Sequence, residues 1–483
     1  MSNLTGMRVA FFTDAFGRAF GLPDAHLVNQ ISEATPLRED RPGAPAVGLR
    51  EIHYSRPGLV AAWSLGAGPI RGLAVAPPGL GGGLLAVSGP AVFDAATGAT
   101  LGTIPGTEPA RFATSRSQLV TTAGGSAWLF DGTAFAAVVS DALPPVSDVA
   151  FLAGRFVYVG AGSDTFWYSE INDAANVGGL NFATAESNPD AIVAVGVLNE
   201  ELVFFGAASV EFWQTTADAN APFQPIVGRG FQRGCAARGS VAFADNALFW
   251  VGDNRVVYRV GPGAPMRVSS SSIEDRLRQC ADIAAVTAWA ATFEGHELYL
   301  LNIPGIGAYA YDCSRLGARE ADRGEWSEWR SWGRDGFRGR FATVLNGVTY
   351  VGDDSSGTVW TMRVGVHADG ADPLVRQASA FIKVEEGTPR CNSLVLHAVM
   401  GVGNAVDPGA NPIVEMRWSD DGGRTFTDWR KASLGQGGRY ATRAVWRRLD
   451  CMRAPGRLVE VRCSEPVEVV FSHLELNATR PAS

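Results

Sequence analysis

Lysine is nearly missing from this chain of 483 residues: Lys383 and Lys431 are the only two among 41 basic side chains. Arginine supplies the rest, a bias that a GC-rich genome produces without functional selection. The shortage removes a Walker A loop, which needs a lysine after its glycines. Cysteine is also scarce. Cys235, Cys280, Cys313, Cys391, Cys451 and Cys463 contain no CxxC pair, so neither a zinc ribbon nor a redox dithiol is indicated. They are too sparse for a secreted disulfide scaffold, and reduced, mostly buried thiols made in a cytosolic compartment are expected. The six histidines, His26, His53, His296, His367, His397 and His473, stand far apart, without HExxH or HxH spacing. No apolar window approaches the roughly 18 residues of a membrane span. Met1 to Phe20 carries Arg8, Asp14 and Arg18 through a short apolar stretch, unlike a signal peptide. The net charge of −8, with no long basic run, lacks the footprint of a general nucleic-acid coat and leaves only local patches for such contacts.

Glycine is abundant, at 57 residues without a three-residue period, which excludes collagen and points to many tight turns. Those turns organise a repeat. RFVYVGAGSDTFWYSE from Arg155, ELVFFGAASVEFWQTT from Glu201 and ALFWVGDNRVVYRVGP from Ala247 each place a Gly/Ser/Asp turn between two apolar, aromatic and β-branched runs. That is the β-hairpin pattern. Seven such hairpins start at 85, 119, 155, 201, 247, 297 and 348, spaced by 34 to 51 residues. Further strand-like pieces lie between them, such as Ala191–Val197 and Gly239–Ala244. Blade-sized spacing predicts an all-β protein with a β-propeller of six or seven blades over residues 51–365. Stacked meanders or two β-sandwiches are the alternative.

Three segments depart from the repeat. Residues 1–50, with Pro23, Pro36, Pro42 and Pro45 and few strand-like runs, suggest an extended arm. Within Ser269–Ala291, Ser271 precedes Glu274 by three, with Ile273, Leu277 and Cys280 at helical spacing; an inserted helix near 271–291 follows, packed on the propeller face or serving a subunit contact. After HADGADP at 367–373, residues 374–478 read as a separate all-β domain resembling a sandwich.

Chemistry is thinly represented. No GxSxG elbow occurs, and GLGGG at 79–83 lacks a strand-to-helix context for phosphate. SDDGGRTF at Ser419–Phe426 fits the Asp-box S-x-D-x-G-x-T-[WF] of sialidases and other propellers. The physics of that box is structural: Asp421 bonds backbone amides in a hairpin turn. Asp353 and Asp354 sit in a hairpin turn, where solvated turn chemistry is the default; one DD step supplies few oxygens and signals calcium only weakly. Trp326, Trp329 and Trp332, three apart, fit buried blade positions or a stacking surface for sugar or protein. No catalytic, cofactor-binding or metal-binding residue is assigned, and no cofactor is expected. A sialidase-like propeller glycosidase and a host-glycan-binding adhesin remain the class-level rivals.

Leu152 to Trp213 carries a specific resemblance. An L-x-G-R-[FY] strand and a D-[ST]-x-[WF] turn lead to Glu186, Ser187, Pro189 and Asp190, followed by an I-x-x-[VI]-G strand at Ile192–Gly196 and an F-G-x-x-[ST]-[VI]-E-[FY] hairpin at Phe205–Phe212. This order is similar to that of the packaged-DNA stabilisation proteins of short-tailed bacteriophages, also called tail hub or nozzle proteins. Ser272–Arg278, Gly295–Pro304, Trp446–Arg448 and Ser464–Leu476 agree in order, so the likeness runs from about 150 to 476. It implies a non-enzymatic virion protein of the tail or neck, assembled in the host cytoplasm. It further implies a homohexameric ring below portal and adaptor that extends the DNA channel, retains packaged DNA non-specifically until ejection, and meets needle or plug and tailspike proteins. An acidic or neutral channel wall is expected to let DNA slide. The Asp-box and the arginine bias depart from the family pattern.

Overall fold

The structure is a computed structural model that describes residues 3–11, 27–35, 50–185, 189–315 and 325–479. Seven blades stand around one axis, six of them four-stranded antiparallel sheets and the seventh a four-stranded antiparallel core extended by the short strands Ala368–Asp369 and Asp372–Pro373. Their innermost strands are Ile70–Val75, Arg111–Thr114, Val146–Leu152, Ile192–Leu198, Ala242–Ala244, Thr287–Phe293 and Gly339–Leu345. Each blade is a short meander. In blades three to seven the first two strands are joined by two residues, both with positive φ: Ala153–Gly154, Asn199–Glu200, Asp245–Asn246, Glu294–Gly295 and Asn346–Gly347. Such turns match the right-handed twist of the flanking strands, so the chain reverses within two residues.

In blades one to six the second strand is buried along most of its length on both faces, because neighbouring blades cover it from either side. Arg155–Gly160, Leu119–Ala123 and Ala247–Val251 are buried at every position. Burial on both faces explains why the hairpins read as continuous apolar runs rather than alternating ones. The seventh blade closes the ring with chain from the other end: Gly58–Ser64 pairs with Thr358–Arg363 as its outer strand. A blade shared between distant segments removes the open seam that a ring of successive repeats would otherwise leave.

The second region is a two-sheet sandwich. One sheet holds Arg376–Lys383, Gly456–Cys463, Ile413–Ser419 and Arg430–Ser433; the other is built on Arg390–Ala398, Val470–Thr479 and Ala444–Arg447. Leu394, Leu396, Met416, Val459, Val461, Phe471 and Leu474 fill the space between them. In the first fifty residues, expected as an extended arm, the described parts form strands of this sandwich. Asn3–Ala10 pairs with Val470–Thr479, and Gln30–Thr35 pairs with Arg50–Ser55, which also reaches Val470 and Phe471. Arg50–Ser55 is therefore sandwich, and propeller strands begin at Gly58, not at 51. Val9 and Phe11 enter the sandwich core, an apolar reward that a free arm would forgo. Pro23, Pro36, Pro42 and Pro45 lie outside the described residues.

The inserted helix is shorter than the sequence pattern suggests. It spans Ser271–Gln279, and its N-cap is Ser270, whose side chain accepts from the Ile273 amide, rather than Ser271. Ile273 and Leu277 bury completely between blades five and six. The remainder of the expected span holds the 3-10 turn Ile283–Ala285 and the inner strand Thr287–Phe293. There, alanine-rich helical spacing yields to ladder pairing with His296–Ile303 and to burial of Trp289 against blade seven.

Candidate functional site

The axial cavity of the propeller is the first place to look for chemistry. All seven inner strands line it, with Phe112, Phe151, Val197, Phe243 and Phe341 among the lining side chains, and its volume is about 560 Å³. A space of that size accommodates side chains and water but not a duplex whose major groove alone is about 12 Å wide. Charged groups at and beside it hold the blades together. Buried Asp148 takes an ion pair from Arg111 at 3.3 Å and accepts from the Val195 amide at 3.0 Å. Arg238, its charge disfavoured mainly by burial, donates to the Ser147 carbonyl.

Residues singled out in the sequence fall in separate places. In the Asp-box, Asp421 accepts from the Thr425 amide at 2.9 Å, the Thr425 hydroxyl at 2.6 Å and the Ser419 hydroxyl at 2.7 Å. Those bonds, the Thr425 hydroxyl first, hold its carboxyl well below the usual range. The carboxylate is consumed by its own turn. The Arg417 guanidinium lies 4.1 Å from the Phe426 ring centre, so the aromatic packs on a cation and not in a substrate cleft.

Asp353 is likewise spent: one oxygen accepts from Ser355 and Ser356 amides, the other from the Trp360 indole at 3.0 Å. Trp326 and Trp329 are buried on opposite faces of the outer strand of blade six, while Trp332 is 56% exposed. The run is therefore a blade strand followed by one surface tryptophan. GLGGG forms the turn between the first two strands of blade one, starting in the 3-10 turn Pro78–Leu80.

A Ser/His/Asp set went unnoticed in the sequence because its members come from different strands. His296 Nδ1 lies 2.6 Å from Asp312 and 3.2 Å from the Ser314 hydroxyl. Serine and aspartate meet the same ring nitrogen, whereas a relay needs them on opposite nitrogens. The trio is a structural knot. His397 and His473 stack at 4.3 Å, and His397 Nε2 lies 3.0 Å from Glu475. His26 and the Glu186 and Ser187 of the family pattern lie outside the described residues. No His, Cys, Asp and Glu group among the described residues is arranged to hold a metal. All six cysteines are free and five are buried; burial pushes the Cys235 thiol up to about 12, as suits inert core thiols. No helix among the described residues is long and apolar enough to cross a membrane.

The most elaborate polar construction joins propeller to sandwich. The Val28 amide donates to Gln377 of the sandwich at 2.8 Å, and the Asn29 amide donates to Glu328 of blade six at 2.8 Å. The Asn29 side chain donates to the carbonyls of Arg330 and Val375, both at 2.8 Å, and accepts from Arg56 at 2.8 Å. Arg56 is fully buried and grips Asp369 with two bonds of 3.0 and 2.6 Å. Its guanidinium also lies 4.6 Å from the ring of Phe337. Backbone and side chains thus bolt two β units into one piece, which is scaffold chemistry and not catalysis.

Known proteins agree with this architecture domain by domain. The sequence profile described as "Bacteriophage P22 Gp10, beta-propeller" matches residues 85–365, and that described as "Bacteriophage P22 Gp10, beta-sandwich" matches residues 376–479. A curated relative, the "Tail hub protein gp10" of Salmonella phage P22, is 26% identical over 182 residues, which span 36% of this chain and 38% of that protein. Solved structures are much looser neighbours. BamB from Moraxella catarrhalis is 12% identical with a TM-score of 0.36, covering 64% of this chain and 98% of its own. The computationally designed Ika8 protein is 14% identical with a TM-score of 0.37, covering 70% and 100%. Overlaps so loose carry no argument about function. With both of its domains matched in order and more than half of its length inside the propeller profile, the chain belongs to the bacteriophage P22 Gp10 family of packaged-DNA stabilisation, or tail hub, proteins.

Proposed function

We propose that this chain is a structural, non-enzymatic protein of the tail of a short-tailed bacteriophage. Six identical subunits form a ring below the portal and its adaptor, continue the DNA path and help retain packaged DNA until ejection. Needle or plug and tailspike proteins meet the same assembly, which is built in the host cytoplasm. The observation that carries the reading is the ordered match of propeller and sandwich to the two domains of P22 Gp10. The bolted junction supports it, since a subunit that bears load at a pressurised portal must transmit force between its domains without hinging. A head-to-tail contact closes into a ring when its rotation permits. Residues 58–373 carry 20 arginines, no lysine and 31 Asp or Glu, a net charge of −11, which suits a wall along which DNA slides.

The test is mass measurement of the purified protein alone and with portal and adaptor proteins. A ring several times the monomer mass, formed alone or on the connector, is expected. A strictly monomeric chain that ignores the connector would overturn the assignment.

A further inference from the structure

Positive charge is unevenly spread over this acidic chain. Between Arg424 and Arg453 stand eight basic residues and only two carboxylates, Asp428 and Asp450. The fold sets the two strands of this segment at one lateral edge of the sandwich, and Arg424, Arg439, Arg443, Arg448 and Arg453 stand in the turns next to them in the chain. Arg430–Ser433 is the edge strand of one sheet and Ala444–Arg447 that of the other. The two are tied together by Arg430, which donates to the carbonyls of Arg447 and Arg448, and by the Trp446 indole, which donates to the Arg430 carbonyl. Arg457 joins the neighbouring turns, bonding Asp420 of the Asp-box and the carbonyls of Leu449 and Cys451.

Seven of the eight, all but Arg430, are exposed, and none makes an ion pair among the described residues. Of the nearby carboxylates, Glu415, across from Lys431, is taken by Arg462, and Asp420 by Arg457, which leaves exposed Asp428 and Asp450 as two negative charges against seven exposed positive ones. Glu475, held low by His397, feels Arg443 only at a distance. Charge on a sheet edge also deters strand addition, but that purpose is met by one or two charges of either sign.

We infer that this arginine-rich edge of the sandwich binds duplex nucleic acid through its phosphates, without regard to sequence. Arginine forks pair with phosphate oxygens, and the unpaired state of these side chains leaves their charge available to displace counterions. The acidic groups of the propeller make a poorer partner for the edge. Asp94, Asp131, Asp190 and Asp353, for example, are spent on capping turns in four different blades. Gripping is thereby confined to the sandwich edge, while the propeller, net −11, stays non-adhesive. The inference rests on the tail hub reading only in placing DNA beside the chain.

The test uses the full chain and labelled DNA duplexes of two unrelated sequences, titrated by fluorescence anisotropy at several salt concentrations. Equal binding of both sequences, weakening with salt, is expected. The R443Q/R447Q/R448Q variant should bind at least about tenfold more weakly in low salt, with a salt slope reduced by about 0.9 per lost contact. R443K/R447K/R448K should retain the wild-type slope. If the glutamine variant fails to fold, K431Q/R439Q serves in its place with a smaller loss in the same direction. The inference is overturned if the wild type does not bind in low salt, or if folded glutamine variants bind as the wild type does. It is also overturned if the substitutions alter the mass of the assembly and not DNA affinity, which would put a neighbouring subunit on this edge. Loss of ring formation with DNA binding intact would strike the hub reading alone.

Discussion

At the scale of single residues, the side chains that looked chemical turn out to be spent on structure, and the sequence could show this only where the partners are local. Asp421 bonds within its own octapeptide, so its structural role is readable from the Asp-box pattern itself. Trp326 and Trp329 are different: three apart in a strand, they point to opposite faces, and both are buried only because a blade has neighbours on either side. His367 carries a testable consequence. Burial, and then the field of Arg376, hold its imidazole below the usual histidine value. The folded state therefore binds this proton less readily than the unfolded chain, whose histidines titrate near 6.5, and stability falls as pH drops below that value. Urea midpoints measured at about pH 7.5 and about pH 5.5 should differ more in the wild type than in His367→Gln; equal differences would deny His367 the effect. The carboxylates of Asp353 and Glu108, held low in the fold, contribute only further into acid, because their stabilisation is lost as pH falls below the ordinary carboxylate range.

At the scale of elements, the strands were legible because hairpin turns and apolar runs are local signals, and all seven hairpins became the middle strands of blades. The helix was legible at its start and misjudged at its end, since Ala284, Ala285 and Ala288 favour a helix until the inner-strand position of blade six claims the chain. The closing strand Gly58–Ser64 had no repeat signature: its partner lies some 300 residues away, so nothing in its neighbourhood marks it as part of a blade. Leu59, 1% exposed, anchors that strand in the core between blades six and seven. Leu59→Ala should cost about 2–5 kcal/mol in chemical denaturation, and should speed hydrogen exchange in the partner strand Thr358–Arg363. A loss below about 1 kcal/mol would mean that the seam contributes little to closing the ring.

At the scale of the whole molecule, the chain threads its two domains out of sequence order, and residues 27–29 hydrogen-bond both at once. Propeller and sandwich should consequently melt as one calorimetric transition. Arg56→Ala leaves the Asp369 carboxylate buried without its cation, with only the Ser331 hydroxyl at 3.4 Å, and an expected loss of about 3–5 kcal/mol with a splitting of the transition in two. A single unshifted transition would show that the junction does not couple the domains. The sequence by itself determined the all-β class, the blade-sized repeat, the second β domain and the family likeness, because each is written in local periodicity, in turn residues or in the order of short motifs. Only the tertiary structure decided that there are seven blades, that the amino-terminal strands complete the sandwich, and that the two strands of the arginine-rich segment are edge strands tied to each other. Those outcomes depend on contacts between residues tens to hundreds of positions apart, whose pairing is set by which buried surfaces and polar partners fit one another, and no local signal records that fit.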